Sequence, residues 1–262
     1  MNLGLEGKVA LVTAASRGLG RAVATELARE GAQVMVSSRE EATLGMTATE
    51  IRDETGAEVA HFPADLSMEE NIRALVSHAT ERFGGVDVLI NNTGGPPAGG
   101  FDDFGDEEWK EAFELVLLRV VRMVREVLPL MRKRGGGRIV NIASSSVKQP
   151  IEDLILSNTF RAGSAGLAKS LSFELAPESI LINTLGPGRI ITERSASIDA
   201  SRAEALGVPA EEVRKEVEAQ IPLGRYGAPE ELARVAAFLA SPVNGYGTGQ
   251  AILIDGGMVR AL

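Results

Sequence analysis

The chain has 262 residues, 44% of them hydrophobic and 24% charged, with a formal net charge of −9. That is enough apolar material for one large α/β core without a second domain, and the acidic balance argues against nucleic acid or an anionic membrane surface as the main partner. There is no cysteine, and His61 and His78 are the only two histidines, so disulfides, a cysteine nucleophile and a histidine-rich metal site are excluded and no metal is expected.

No stretch of about 18 apolar residues occurs that would cross a membrane. Residues 1–7 lack the basic-then-apolar order of a secretory signal. A soluble, cytoplasmic protein without a membrane partner is expected.

The apolar run at 9–12 passes into small residues and two glycines, Lys8-Val9-Ala10-Leu11-Val12-Thr13-Ala14-Ala15-Ser16-Arg17-Gly18-Leu19-Gly20. Ala22, Val23, Leu27 and Ala28 then fall on one helical face. Strand, tight turn and helix in that order open a βαβ unit. The helix N-terminus offers unpaired N–H groups and a positive dipole end to a phosphate. Alone, such a turn also fits a plain strand-to-helix connection. The next strand, at 33–37, ends in Ser38-Arg39, about 20 residues on, where a dinucleotide fold reads the adenosine ribose. An acidic residue there would bond a free 2′-hydroxyl. Arg39 instead suits a 2′-phosphate, which favours NADP over NAD, and Arg17 adds positive charge nearby.

A polar-faced helix is predicted at 40–55, then a short strand at 59–62 ending in Pro63-Ala64-Asp65-Leu66. For the helix at 68–83, Ser67 is the predicted N-cap, and Glu70 completes a capping box. A strand at 86–90 leads into Asn91-Asn92-Thr93-Gly94-Gly95-Pro96-Pro97, which cannot continue it. One long helix is predicted over 106–134. Its middle, 115–124, is apolar nearly all round, broken by Arg119 and Arg122. Such a helix buries both faces, one on a sheet and one on a neighbouring subunit.

A strand at 138–143 precedes Ser144. The helix at 160–175 begins with Ala162, Gly163, Ser164, Ala165 and Gly166, small residues that suit close packing on the sheet or on a second subunit. A strand at 180–185 is followed by Gly186-Pro187-Gly188. The alanine- and glutamate-rich stretch 195–220 reads as helical, with few core residues, and could act as a mobile cover. A helix at 230–240 and a strand at 251–254 complete the chain. This alternation implies a mainly parallel sheet with helices on both faces. Ligands bind such sheets beyond the carboxyl ends of the strands. The unusual turns at 14–20, 38–39, 65, 92–95, 144–146 and 187–188 all lie there.

Together these segments resemble the short-chain dehydrogenase/reductase family over essentially the whole chain. The turn at 13–20 looks like that family's cofactor turn, with Ala14 where glycine is usual. Asp65-Leu66 resembles its adenine-contacting pair and Asn91-Asn92-Thr93-Gly94 its Asn-Asn-Ala-Gly segment. Pro187-Gly188 followed by Thr192 matches the turn that holds the nicotinamide amide. Gly245 to Gln250, ending in Asp255-Gly256-Gly257, matches its C-terminal signature. The resemblance implies a single Rossmann-type domain over 1–262, a doubly wound parallel sheet of about seven strands, with 189–222 covering the substrate. It also implies a nicotinamide cofactor and a homodimer or homotetramer, formed through the helices at 106–134 and 157–175. The cofactor residues it implies are Thr13, Ser16, Arg17, Gly18, Leu19, Gly20, Ser38, Arg39, Asp65, Leu66, Asn92, Thr93, Gly94, Arg161, Pro187, Gly188, Ile190 and Thr192.

The catalytic positions depart from the family. Ser144 fits the serine that binds the substrate oxygen. Ser157 occupies the tyrosine position, Arg161 the lysine position, and Val116 the asparagine position. A phenol of pKa about 10 can be tuned toward neutrality; an aliphatic hydroxyl is a far weaker acid. Arginine stays protonated and cannot shuttle a proton as lysine can. Ser157 and Arg161 lie one helical turn apart and could act together on a developing oxyanion. Tyr226, Tyr246, Lys148, Glu152 and Asp153 are the chain's other candidate proton donors. The leading reading is an NADP-dependent oxidoreductase for a small carbonyl or alcohol substrate, similar to 3-oxoacyl reductases, with Ser144, Ser157 and Arg161 at the reacting oxygen. The alternative is a catalytically silent dinucleotide-binding sensor or subunit.

Overall fold

Val9–Thr13, the apolar run before the glycines, is strand β1, and every residue in it is buried. In the computed structural model, which describes residues 2–261, six more strands join it. They are β2 (Gln33–Ser38), β3 (Val59–Pro63), β4 (Val88–Asn91), β5 (Gly137–Ile142), β6 (Ile180–Pro187) and β7 (Ala251–Ile254). All pair in parallel in the order β3-β2-β1-β4-β5-β6-β7. The helices are α1 (Gly18–Arg29), α2 (Glu41–Thr55), α3 (Glu69–Phe83), α4 (Asp106–Phe113), α5 (Arg119–Lys133), α6 (Ile155–Leu175), α7 (Glu193–Leu206), α8 (Ala210–Gln220) and α9 (Pro229–Ala240).

The strands are mostly apolar because helices cover both faces of the sheet. Their side chains alternate between two cores, as the strand period requires. Ala10, Val12, Val34, Val36, Val88 and Ile90 meet α1, α2 and α9 on one face. Leu11, Met35, Leu89, Ile139 and Ile182 meet α3, α5 and α6 on the other. The expected doubly wound sheet is therefore present. Its strand order reverses at β1, which lies between β2 and β4. In such sheets that point opens a crevice past the strand ends.

Four local expectations are corrected. The helix expected over 106–134 is interrupted: α4 and α5 are joined by a π turn, Glu114–Leu118. Ser164 Oγ on α6 donates to the Val116 carbonyl at 3.1 Å, giving this carbonyl a partner outside the regular helical ladder. Ser67 is not an N-cap. Its N–H and hydroxyl both donate to Asp65 Oδ1, at 3.0 and 2.8 Å, and α3 starts at Glu69 behind Met68. The stretch 195–220 is two helices, α7 and α8. Gly207 ends α7 in a left-handed conformation, φ 67°, and Pro209 precedes α8. The small-residue helix begins at Ile155 rather than 160, and its Ala162, Gly163 and Gly166 face outward, not onto the sheet.

Candidate active site

A cavity of about 1000 Å³ lies beyond the carboxyl ends of the strands, lined from the glycine turn at one end to α6 and α7 at the other. The turn is held in shape by its own backbone. Gly18 has φ 57°, a conformation open to glycine. A side chain at Gly20 would put a Cβ 2.3 Å from the Ala14 carbonyl oxygen, so only glycine lets α1 start so close to β1. The residue before α1, Arg17, provides no side-chain cap. The first N–H groups of the helix, at Gly18 and Leu19, therefore face the cavity with the positive end of the dipole.

Of the cofactor residues expected from sequence, Thr13 and Gly20 do not border the cavity; the others do. Thr13 is buried, and its hydroxyl donates to the Asn92 carbonyl at 2.8 Å and accepts the Asn92 N–H at 3.0 Å. Asn92 Nδ2 in turn donates to the Ala14 carbonyl at 3.1 Å. Thr13 thus positions the Asn92 loop against the glycine turn. Arg17 borders the cavity as well. Its Nη1 lies 2.7 Å from Glu193 Oε2 on α7, both side chains being largely exposed, so its charge is paired across the groove.

At the β2 end of the cavity, Ser38 Oγ is buried and has no hydrogen-bond partner among the described residues. Arg39 beside it forms no ion pair among them. Asp65 is held below the usual carboxylate range, chiefly by the N–H and hydroxyl of Ser67 and further by Arg39 and Arg119. Arg119 was visible in the sequence only as a break in an apolar helix. In the fold it is buried, borders the cavity and donates to the Asn92 carbonyl at 3.2 Å. Burial, with Arg161 next, pulls its pKa down to about 10.

At the other end, Ser144, Ser157 and Arg161 converge on the cavity. Ser144 follows β5, and its Oγ accepts the Ser146 N–H at 3.1 Å. Ser157 and Arg161 share the inner face of α6 and are both buried. Arg161 Nε donates to Ser157 Oγ at 3.1 Å, and its Nη1 donates to the carbonyls of Ile142 at 3.2 Å and Ala143 at 2.8 Å. Burial, then the like charge of Arg194, pulls the Arg161 pKa down to about 10, so it remains a cation at neutral pH. Val116 is buried at the π turn and supplies no polar side chain.

The other proton donors are elsewhere. Lys148, Glu152 and Asp153 do not border the cavity, nor do the tyrosines. Tyr246 is fully exposed. Tyr226 is buried and donates to Asp199 Oδ2 and Oδ1 at 2.9 and 3.1 Å. Within 189–222, the residues on the cavity all fall between Arg189 and Ile198. Helix α8 instead packs Val217, with Ile221, against Tyr226. Sequence reasoning missed Glu111 and Glu114 on the α4 side and Arg194 on α7, all of which border the cavity. Nothing in their local sequence separates them from solvated surface charges.

Residues 13–259 match the family model described as enoyl-(acyl carrier protein) reductase. The chain is 34% identical over 258 residues to the 3-oxoacyl-[acyl-carrier-protein] reductase of Aquifex aeolicus, covering 98% of this chain and 100% of that one. It superposes with a TM-score of 0.95, at 32% identity and full coverage of both chains, on L-sorbose reductase from Gluconobacter frateurii, solved with NADPH and L-sorbose. An actinorhodin polyketide ketoreductase variant solved with NADPH gives a TM-score of 0.92 at 36% identity over 98% of each chain. On these grounds the chain belongs to the short-chain dehydrogenase/reductase family.

Proposed function

We propose that the chain is an NADP-dependent oxidoreductase that interconverts a carbonyl and an alcohol on a small substrate. The observation that carries this is the uncapped start of α1 opening into a cavity that Ser38 and Arg39 also line. Backbone N–H groups suit a pyrophosphate, and Arg39 with Ser38 suits a 2′-phosphate. The residues present therefore fit the dinucleotide. Asp65 and Leu66 would take the adenine, Asn92 to Gly94 the ribose side, and Pro187, Gly188, Ile190 and Thr192 the nicotinamide side. The NADPH complexes of the sorbose reductase and the ketoreductase support the same cofactor.

NADP(H), when bound, supplies or accepts the hydride. The chain's own residues would hold the reacting oxygen. Ser144 donates a hydrogen bond to it, and Arg161, fixed by Ser157 and two carbonyls, stabilises charge that develops on it. In this reading Ser157 and Arg161 stand where the family has its tyrosine and lysine, and Val116 where it has its asparagine. Neither replacement moves a proton well near neutrality. The proton then comes from water in the open cavity.

Of the segment 189–222, the cover over the substrate is 189–198, since α8 packs against Tyr226 instead. Self-association is supported by the outward faces of the helices expected to form the interface. Phe173 on α6 and Phe113 on α4 are exposed. No helix among the described residues is long and apolar enough to cross a membrane.

The test is a pair of titrations with NADPH and NADH, followed by NADPH oxidation with a panel of ketones, oxo acids and acyl thioesters. Preferential NADPH binding with turnover of one class supports the reading. Tight NADPH binding with no turnover of any class would favour a silent sensor, and no binding would end the cofactor assignment.

A further inference from the structure

Arg161 is a buried charge without a counter-charge. All three of its hydrogen bonds go to neutral acceptors, Ser157 Oγ and the carbonyls of Ile142 and Ala143. No carboxylate among the described residues lies within ion-pair distance of it, and its Nη2 has no partner there. A buried ion that lacks its counter-ion is among the costliest arrangements a fold can hold. Arg161 borders the cavity, so a ligand can bring the missing anion. Arg119, the other buried arginine, feels the charge of Arg161 first, but unlike Arg161 it also has a carboxylate, Asp65, nearby.

A second cation stands over the same end. Arg194, on α7, reaches across to the 94–97 loop, where its Nη2 donates to the Pro96 carbonyl at 3.1 Å. Gly95 leaves it room: a Cβ there would lie 3.3 Å from that nitrogen. The other charged groups on this part of the wall are Arg189, which is near Asp199, Glu193, which pairs with Arg17, and the exposed Glu111 and Glu114. Neither Glu111 nor Glu114 pairs with Arg161 or Arg194. Their carboxylates do not suit a long alkyl tail.

Resting on the reading of this cavity as a carbonyl-reducing site, we propose that the substrate is a short 2-oxo acid whose free carboxylate is held by Arg161 and Arg194. In a 2-oxo acid the carboxylate adjoins the reacting carbonyl, so the two N–H groups of Arg161 Nη2, which have no acceptor among the described residues, can reach that end of the substrate. A thioester or simple ketone brings no carboxylate to Arg161 Nη2.

The experiment titrates the protein, with and without NADPH, with pyruvate, 2-oxobutanoate and 2-oxoisovalerate, each against its methyl ester, by calorimetry. At least one acid is expected to bind ten or more times tighter than its ester. That preference should shrink as salt is raised, disappear in Arg161→Gln and fall several-fold in Arg194→Gln, an exposed position that the fold tolerates. If no acid outbinds its ester, or if the preference survives both substitutions, the proposal is wrong. The cofactor titration keeps the two readings apart. Acid preference without NADPH binding leaves the anion site standing and removes the reductase, whereas NADPH binding without acid preference does the reverse.

Discussion

Arg161 Nε donates to Ser157 Oγ at 3.1 Å, one helical turn away on α6, and the same guanidinium grips the two carbonyls at the end of β5. Ser157 thus serves as an acceptor for a fixed cation, which is the opposite of a general acid. Putting the acid back is a direct test. The double substitution Ser157→Tyr with Arg161→Lys should raise NADPH-linked ketone reduction at least tenfold, since a placed general acid contributes about 10²–10⁴. Rates would be compared on the same ketone panel as the parent protein. An unchanged rate would show that restoring these two positions is not enough while Val116 stands at the third.

Much of this site could be read from the sequence because it rests on backbone. The glycine turn, the strand ends and Pro187-Gly188 carry their conformations in residue type, and they do come together at the sheet's edge. The parts that were missed depend on tertiary contacts. The π turn at Glu114–Leu118 leaves no mark in an apolar run, because Ser164 approaches Val116 from another helix. Ser67 has the residue type of a cap, but Asp65, two residues earlier, takes the same hydroxyl. Arg119 and Arg194 are charges whose burial or reach only the packing decides.

Cofactor choice hangs on Arg39, which has no protein counter-ion among the described residues. Arg39→Ala should weaken NADPH binding about tenfold or more, roughly 1.4 kcal/mol, and leave NADH little changed. The NADPH loss should also narrow at high salt. Equal losses for the two nucleotides in a fluorescence titration would remove the 2′-phosphate from the account.

Ala14 holds φ 47°, a left-handed conformation, at the point where the family's turn carries glycine. That region costs a residue with a Cβ about 1–2 kcal/mol. Glycine gives part of this back through its freedom in the unfolded chain, about 0.4–1 kcal/mol. Ala14→Gly should therefore raise Tm by roughly 1–3 °C, given some 2–4 °C per kcal/mol in a domain of this size. A lower Tm in differential scanning calorimetry would mean that the methyl group contributes packing that outweighs the strain.

Tyr226 is the buried tyrosine, and its surroundings assign it a task other than catalytic acid. Its hydroxyl donates to both oxygens of Asp199 at 2.9 and 3.1 Å, tying α7 to the loop before α9, while Arg189 Nη1 stands 3.7 Å from the same carboxylate. Burial, then the bonds to Asp199, pushes the phenol up to about 12. The folded state therefore holds this proton more tightly than the unfolded chain, whose tyrosines titrate near 10. The stability it contributes is fully present below pH 10 and is lost as pH rises through 12. Tyr226→Phe leaves a buried carboxylate short of its donor, a cost of about 1–3 kcal/mol. The variant should melt several degrees lower at neutral pH, and its deficit should close in strong alkali. Below pH 10 the shape of its pH–rate curve should match that of the parent. A new break in that curve, without any fall in Tm, would instead make Tyr226 part of the proton path and move the reacting centre toward α7.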